Sequence, residues 1–304
     1  MITASFIGYR NHALRIRELV KNSIKIKNIY HPHKKFKNST NKLNDILQSD
    51  CVFIICPSKF HFKFLNFLHL NKFKGYIFCE KIPVTTINQL NLLKKFKNSK
   101  TFFNYNLQFS YLKKYLLEKK LGRMIFLNIK ECKPFIFSQD FKKNWRSEEK
   151  NIIITNVLVH YLDLLKHIFK DKIKKMSINK FKINKKTKLI ENLNFNFRIK
   201  KTIFNIFVSY SSILNREIEI FFTNGKISIK NDLVKIFRSK KIYKRYEHPK
   251  IIFRKKEKNL FSDSNHKSVK FFLNTVKQRK KFSKKRLLDN FLSNKIVLDI
   301  CKKN

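Results

Sequence analysis

Hydrophobic positions follow two rhythms along the chain. In the first third, short β-type runs alternate with stretches whose apolar residues recur at helical spacing. The run 2–7 (ITASFI) predicts a first strand, which Gly8 breaks; Ala13, Ile16, Leu19 and Val20 then share one face of a helix over 11–22. Alternation over 24–30 predicts a second strand, ended by the polar turn His31-Pro32-His33-Lys34-Lys35, and a helix fits 41–48. The run 51–56 (CVFIIC) is apolar throughout and bounded by Asp50 and Pro57, the mark of a strand covered on both faces of a parallel sheet. A helix over 60–71, a strand over 76–79, a helix over 87–97 and a strand over 101–103 continue the series. Such alternation predicts a doubly wound sheet.

Beyond about residue 110 the rhythm changes. A strand over 124–129 and an apolar stretch over 152–169 precede strand-like runs at 176–183, 193–197, 202–211, 217–222, 226–229 and 233–237, with no helix between them. These predict a large, mainly antiparallel sheet, and two helical patterns at 267–279 and 284–301 close the chain. The fold class expected is α/β: an N-terminal Rossmann doubly wound parallel sheet over 1–110, then an α+β domain over 111–304 with a large open sheet. The last helix is expected to pack back on the first domain.

Composition sharpens this picture. Lys+Arg total 69 against 20 Asp+Glu, a net charge of +49, yet 43% of residues are apolar, too many for a disordered basic tail. Polyanions attract such a chain at low salt. Lysine outnumbers arginine 57 to 12, however, whereas bidentate readout of phosphate or guanine favours arginine. With Gly at 4 and Pro at 5, the lysines read as a compositional drift spread over all faces, and no specific nucleic-acid partner is expected. No apolar run approaches the roughly 20 residues of a membrane span, and no secretory leader is visible, so cytoplasmic residence is expected. The odd count of five cysteines, none in C-x-x-C spacing, argues against a disulfide framework and a zinc site.

The candidate chemistry begins after the first strand. A dinucleotide-binding turn uses G-x-G-x-x-G, and here the stretch reads Gly8-Tyr9-Arg10-Asn11-His12-Ala13, with only the first glycine present. Taken by itself this stretch is equally a plain strand-to-helix turn. Further on, Ser49-Asp50-Cys51-Val52-Phe53-Ile54-Ile55-Cys56-Pro57-Ser58-Lys59-Phe60-His61 is followed by Glu80-Lys81-Ile82-Pro83 and Thr86. Together these resemble the glucose–fructose oxidoreductase/inositol dehydrogenase (Gfo/Idh/MocA) family, whose pattern is S-D-x-V-x-I-x-x-P-x-x-x-H and then E-K-P-x-x-x-[ST]. The stretch Asn104–Phe109, the pair Gly122-Arg123, Trp145-Arg146, the run Val159-His160-Tyr161-Leu162-Asp163 and Asn224-Gly225 resemble later pieces in order, so the likeness spans nearly the whole chain.

The resemblance implies an NAD(P)-dependent oxidoreductase that moves a hydride between nicotinamide and a hydroxyl or keto carbon of a sugar, sugar nucleotide or cyclitol. It implies Lys81 and His160 as the catalytic residues, with Asn156, Asp163, Trp145, Arg146 and Asn106 binding substrate. Gly8, Tyr9, Arg10, Asn11, His12, His31, Cys56, Pro57, Ser58, His61, Glu80 and Lys81 are the implied cofactor contacts. A histidine suits proton transfer near neutral pH, and a lysine ammonium favours a developing alkoxide. One departure is serious: Asn156 stands where the family has an aspartate, and an amide cannot take up a proton. No carboxylate follows the second strand to receive an adenosine ribose, which leans the cofactor toward NADP over NAD. A homo-oligomer formed through the second-domain sheet is expected. Two other readings stay open, a relative that binds a nucleotide without turnover and a polyanion-binding protein.

Overall fold

The computed structural model describes residues 1–32, 37–96, 99–105, 109–139, 141, 145–182, 188–231, 233–238, 250–256 and 264–302, with the backbone alone at 145, 250–251, 253–256 and 264. The chain divides into two compact units, Met1–Gln108 with Asp263–Asp299, and Phe109–Ser262 with Ile300–Asn304. In this division residues 264–299 lie with the first unit.

The first unit opens with β1 (Ile2–Ile7), α1 (Asn11–Val20), β2 (Ile24–Tyr30), β3 (Ser39–Thr40), β4 (Cys51–Ile54), α2 (His61–Leu70), β5 (Tyr76–Glu80), α3 (Ile87–Lys95) and β6 (Thr101–Asn104). Its six strands run in the order β3-β2-β1-β4-β5-β6 and pair in parallel. That is the dinucleotide-binding order, with the strand sequence reversing beside β1. The apolar runs do what their pattern predicts: β4 and β5 are buried at every position. The Ser-Asp pair before β4 serves as a pin. Ser49 and Ser5 share a buried hydroxyl bond of 2.5 Å, and Asp50 accepts from the Thr3 amide at 2.7 Å and its hydroxyl at 2.8 Å. Thr86 caps α3, accepting from the Gln89 amide.

The stretch 41–48 corrects the expectation. It forms a 3₁₀ helix over Leu43–Gln48 with Ile46 as its one buried residue, too little apolar surface to hold two α-helical turns. The two-residue edge strand β3 before it has no hydrophobic pattern to announce it.

The second unit contains α4 (Leu112–Leu116), β7 (Met124–Cys132), α5 (Val159–Ile168), β8 (Lys174–Phe181), β9 (Asn192–Ile199), β10 (Thr202–Ser209), β11 (Asn215–Phe222), β12 (Gly225–Lys230), β13 (Leu233–Arg238) and β14 (Lys250–Lys256). Its sheet has eight strands in the order β14-β13-β12-β11-β7-β10-β9-β8, antiparallel except where β7 meets β10. The edge strand β14 escapes the sequence pattern because its lysines mask alternation, a common device for blunting an edge. Period-two alternation sends Leu127, Ile129, Phe195, Phe204, Ile206, Ile218 and Ile220 to a buried face. On the other face Asn196, Asn205, Asn128, Glu219 and Ser228 stand side by side across five strands, half-buried. The stretch 152–168 is helical, with a π-helical turn at Ile154–Leu158 running into α5.

Two closing helices, α6 (Ser264–Lys277) and α7 (Lys284–Lys302), complete the element order. Phe272 of α6 fills the centre of the first unit. Its ring meets Phe53 at 5.2 Å and Phe78 at 5.3 Å edge-on and stacks on Phe282 at 5.9 Å. Aromatic pairs of this kind contribute about 0.5–1.5 kcal/mol each beyond the area they bury. Among the described residues no helix is long and apolar enough to cross a membrane.

Candidate functional site

In an open parallel sheet the loops at the carboxyl ends of the strands form the ligand crevice. Gly8 leaves β1 at that edge with φ +114°, and a Cβ there would lie 2.6 Å from the Ile55 carbonyl oxygen. Both the conformation and the close approach of the backbone demand glycine. The next turn needs no second glycine, since Arg10 takes an ordinary extended conformation (φ −74°, ψ 174°). No side chain caps α1. The first amides of α1 therefore keep their donor capacity at this edge of the sheet. Tyr9 is half-buried with the Arg17 guanidinium 5.4 Å from its ring centre, and Arg10 and Asn11 are exposed.

Glu80 ends β5 almost wholly buried. Its Oε1 accepts from the Asn104 amide at 2.8 Å and lies 3.1 Å from His12 Nε2, while the Ser268 hydroxyl donates to Asn104 Oδ1 at 2.7 Å. Burial alone would raise the Glu80 pKa; the charge and hydrogen bond of His12, the charge of Lys81 and the Asn104 bond overcome it and hold the carboxylate well below its ordinary range. His12 and Glu80, both expected to line the cofactor, are thus bonded to each other. Lys81 follows directly and is half-exposed.

Beside it, β4 runs into Cys56, Pro57 and Ser58. Cys56 and Pro57 are half-buried and Ser58 is buried. Burial pushes the Cys56 thiol up to about 12, so it stays protonated. His61 is 1% exposed, and its two ring nitrogens each lie 2.8 Å from a backbone carbonyl oxygen, that of Ile82 and that of Cys56. His31 is half-buried and its amide donates to the Thr40 carbonyl. The basic run at 33–36, Asn106 and the Trp145 side chain lie outside the described residues. A groove of about 350 Å³ lined by Leu68, Phe73, Ile77 and Phe103 lies at the start of β5 and β6, the opposite end of those strands.

In the second unit, α5 carries His160 and Asp163 one turn apart, both buried, and the Phe109 ring meets His160 edge-on at 5.6 Å. Asn156 sits in the π-helical turn ahead of them. Its Nδ2 donates to the Tyr210 hydroxyl at 2.9 Å. Burial drives the Tyr210 phenol up to about 12, against the Asn156 bond and the charge of Arg146, so it remains a hydrogen-bond donor. Arg146 is half-buried, and its charge acts on the Tyr210 hydroxyl.

Sequence reasoning missed the densest polar group of this unit. Glu131 of β7 is 1% exposed and meets Arg216 at 2.7 Å, Lys133 at 2.8 Å and the Tyr161 hydroxyl at 2.5 Å. Burial works to raise its pKa, but the two cations win and hold it near about 2. Phe109 stacks on Tyr161 at 4.3 Å, one residue from His160. The signal was present: Glu131 and Arg216 occupy inward positions of strands, in register with each other and in line with Ile129 and Ile218.

The architecture is a parallel sheet of dinucleotide-binding strand order followed by a large, mainly antiparallel second sheet. More narrowly, the chain has the fold of the Gfo/Idh/MocA-type dehydrogenases. A UDP-N-acetylglucosamine 3-dehydrogenase from Acidithiobacillus ferrooxidans superposes with a TM-score of 0.76 over 98% of this chain and 96% of its own, at 13% identity. A myo-inositol 2-dehydrogenase from Lactobacillus plantarum gives 0.77 over 99% and 96%, at 16% identity. An oxidoreductase from Agrobacterium radiobacter, solved with NAD+, L-tartaric acid and magnesium, gives 0.78 over 97% and 94%, at 13% identity. No family model matches the sequence, and no curated protein matches it significantly.

Proposed function

We propose that the protein is an NAD(P)-dependent oxidoreductase acting on a hydroxyl or keto carbon of a sugar, sugar nucleotide or cyclitol. The observation that carries this reading is the carboxyl edge of the first sheet. There the Gly8 turn, the uncapped amides of α1 and the Glu80-Lys81 pair share one crevice edge in a sheet of dinucleotide-binding order. These residues fit a dinucleotide: Gly8 lets the turn after β1 close against the Ile55 backbone, and the amides of Asn11 and His12 would supply donors to a diphosphate. When bound, the nicotinamide accepts or supplies the hydride.

The chain's own residues move the proton. Lys81 donates a hydrogen bond to the reacting oxygen and favours its anionic form. His160 takes the hydroxyl proton in oxidation and returns it in reduction. Asn156, through Tyr210, binds a substrate hydroxyl without exchanging a proton, and Arg146, Asp163, Trp145 and Asn106 complete the substrate contacts. Tyr30, which ends β2, and His31 and Pro32 after it carry no carboxylate, which supports NADP over NAD. The polar row of the open sheet face is the surface through which the chain forms a homo-oligomer, and the protein works in the cytoplasm.

Fluorescence titration with NADPH and NADH tests the reading. Binding at tens of micromolar or better is expected, tighter for NADPH, and no binding of either removes it. Asn156 favours one second reading, a nucleotide-binding protein without turnover, for which cofactor binds but no sugar or cyclitol is oxidised.

A further inference from the structure

Nδ1 of His61 lies 2.8 Å from the Ile82 carbonyl oxygen and Nε2 lies 2.8 Å from that of Cys56. Carbonyl oxygens only accept, and a neutral imidazole carries one N–H, so both contacts are hydrogen bonds only when the ring is an imidazolium. Cys56 belongs to the turn after β4, and Ile82 is the residue after Lys81. We infer that His61 is a positioning residue for Lys81, tying the β4 and β5 loops together with two bonds as a cation and with one as a neutral ring. This deepens the proposed function, since it names what fixes the backbone beside the lysine that the reaction uses.

The ring is 1% exposed, so water does not replace a lost donor. Its charged surroundings are mixed. From β5 the Glu80 carboxylate favours the proton and the Lys81 ammonium opposes it. From β4 the Cys56 thiol stays neutral, and His12 of α1 is engaged with Glu80. Lys59 and Lys63, on the same turn and helix as His61, are exposed. Burial is the largest influence and draws the ring below its ordinary value, against the pull of the two carbonyls. The second bond is therefore made only on the acid side of the ordinary histidine value and given up as pH rises toward it. One of the two loops is then released, and the tautomer decides which.

Nitrogen and carbonyl-carbon NMR of the cofactor-free protein, from the lowest pH at which the fold persists up to about pH 8, tests this. At the acid end both ring nitrogens are expected to carry protons, and the Cys56 and Ile82 carbonyls both to show hydrogen-bonded shifts. As the ring loses its proton, one carbonyl shift should move in step with it and the other stay. In His61→Gln, whose amide carries two donors and does not titrate, neither carbonyl should follow pH. A ring that keeps one proton throughout, carbonyl shifts that ignore its titration, or a ring that leaves the site on protonation would each overturn the inference. The wild-type titration needs no variant to fold. NADPH titration under the same conditions separates the two claims: lost cofactor binding with intact carbonyl coupling sinks the proposed function alone, and retained binding with uncoupled carbonyls sinks the positioning role alone.

Discussion

Glu80 and Asn104 are register partners at the ends of neighbouring parallel strands, and their side chains close a 2.8 Å hydrogen bond. With His12 and Ser268 they make a chain of polar groups along the crevice edge. Glu80→Ala leaves Asn104 and His12 without their shared acceptor in a buried setting, and a loss of about 3 kcal/mol in urea unfolding is expected. The pH dependence has a defined sign. A carboxylate whose pKa falls on folding stabilises the protein above its ordinary value of 4.5, and that contribution disappears as acid approaches the lowered folded value. The stability difference between wild type and Glu80→Gln should therefore be full at neutral pH and shrink below about pH 4.5.

Gly8→Ala places a methyl 2.6 Å from the Ile55 carbonyl oxygen at φ +114°. The expected cost exceeds about 1 kcal/mol in thermal unfolding, with loss of NADPH binding at tens of micromolar. A stable variant that binds normally would show that the turn has room for a side chain.

Lys81→Ala and His160→Ala should each lower turnover on a sugar and cyclitol panel by about 10²–10⁴ while NADPH affinity changes little. Steady-state rates beside fluorescence titration check both, and unchanged turnover in either variant removes that residue from the mechanism.

Glu131→Gln leaves Arg216 and Lys133 without their carboxylate in the core of the second unit. A destabilisation of about 3–5 kcal/mol is expected in denaturant unfolding. Because Glu131 is held near about 2 against an ordinary 4.5, its contribution is complete above 4.5 and is lost as pH falls toward 2.

Asn156→Asp restores a titratable group against the Tyr210 hydroxyl. Turnover is expected to rise and its pH profile to gain an acid limb. A flat profile with unchanged rate would favour the reading in which the chain binds nucleotide without reaction.

Much of this architecture is legible in the sequence because apolar runs report burial directly. The all-buried β4 and the alternating β9 to β11 follow from period and length alone. The elements that escape are those whose order comes from a neighbour. β3 is two residues paired to an edge, β14 is a lysine-rich strand, and the 3₁₀ helix at Leu43–Gln48 has one buried anchor. Gly8 and the Glu80-Lys81 pair stand out by motif, whereas the two carbonyl contacts of His61 do not. Its ring is turned inward by carbonyls, and backbone acceptors leave no trace in a sequence. Glu131 and Arg216 are readable only once strand phase is known, as charges in the inward register.

The insertion of Phe272 among Phe53 and Phe78 sets an order on biosynthesis. A ribosome releases residues 1–108 long before it makes the aromatic plug that seals their hydrophobic interior. The nascent dinucleotide fold must therefore wait, unsealed, while some 150 residues of another unit are polymerised. Truncation before α6 should yield chains that chaperones retain, whereas loss of the second unit with α6 and α7 rejoined by a linker should not.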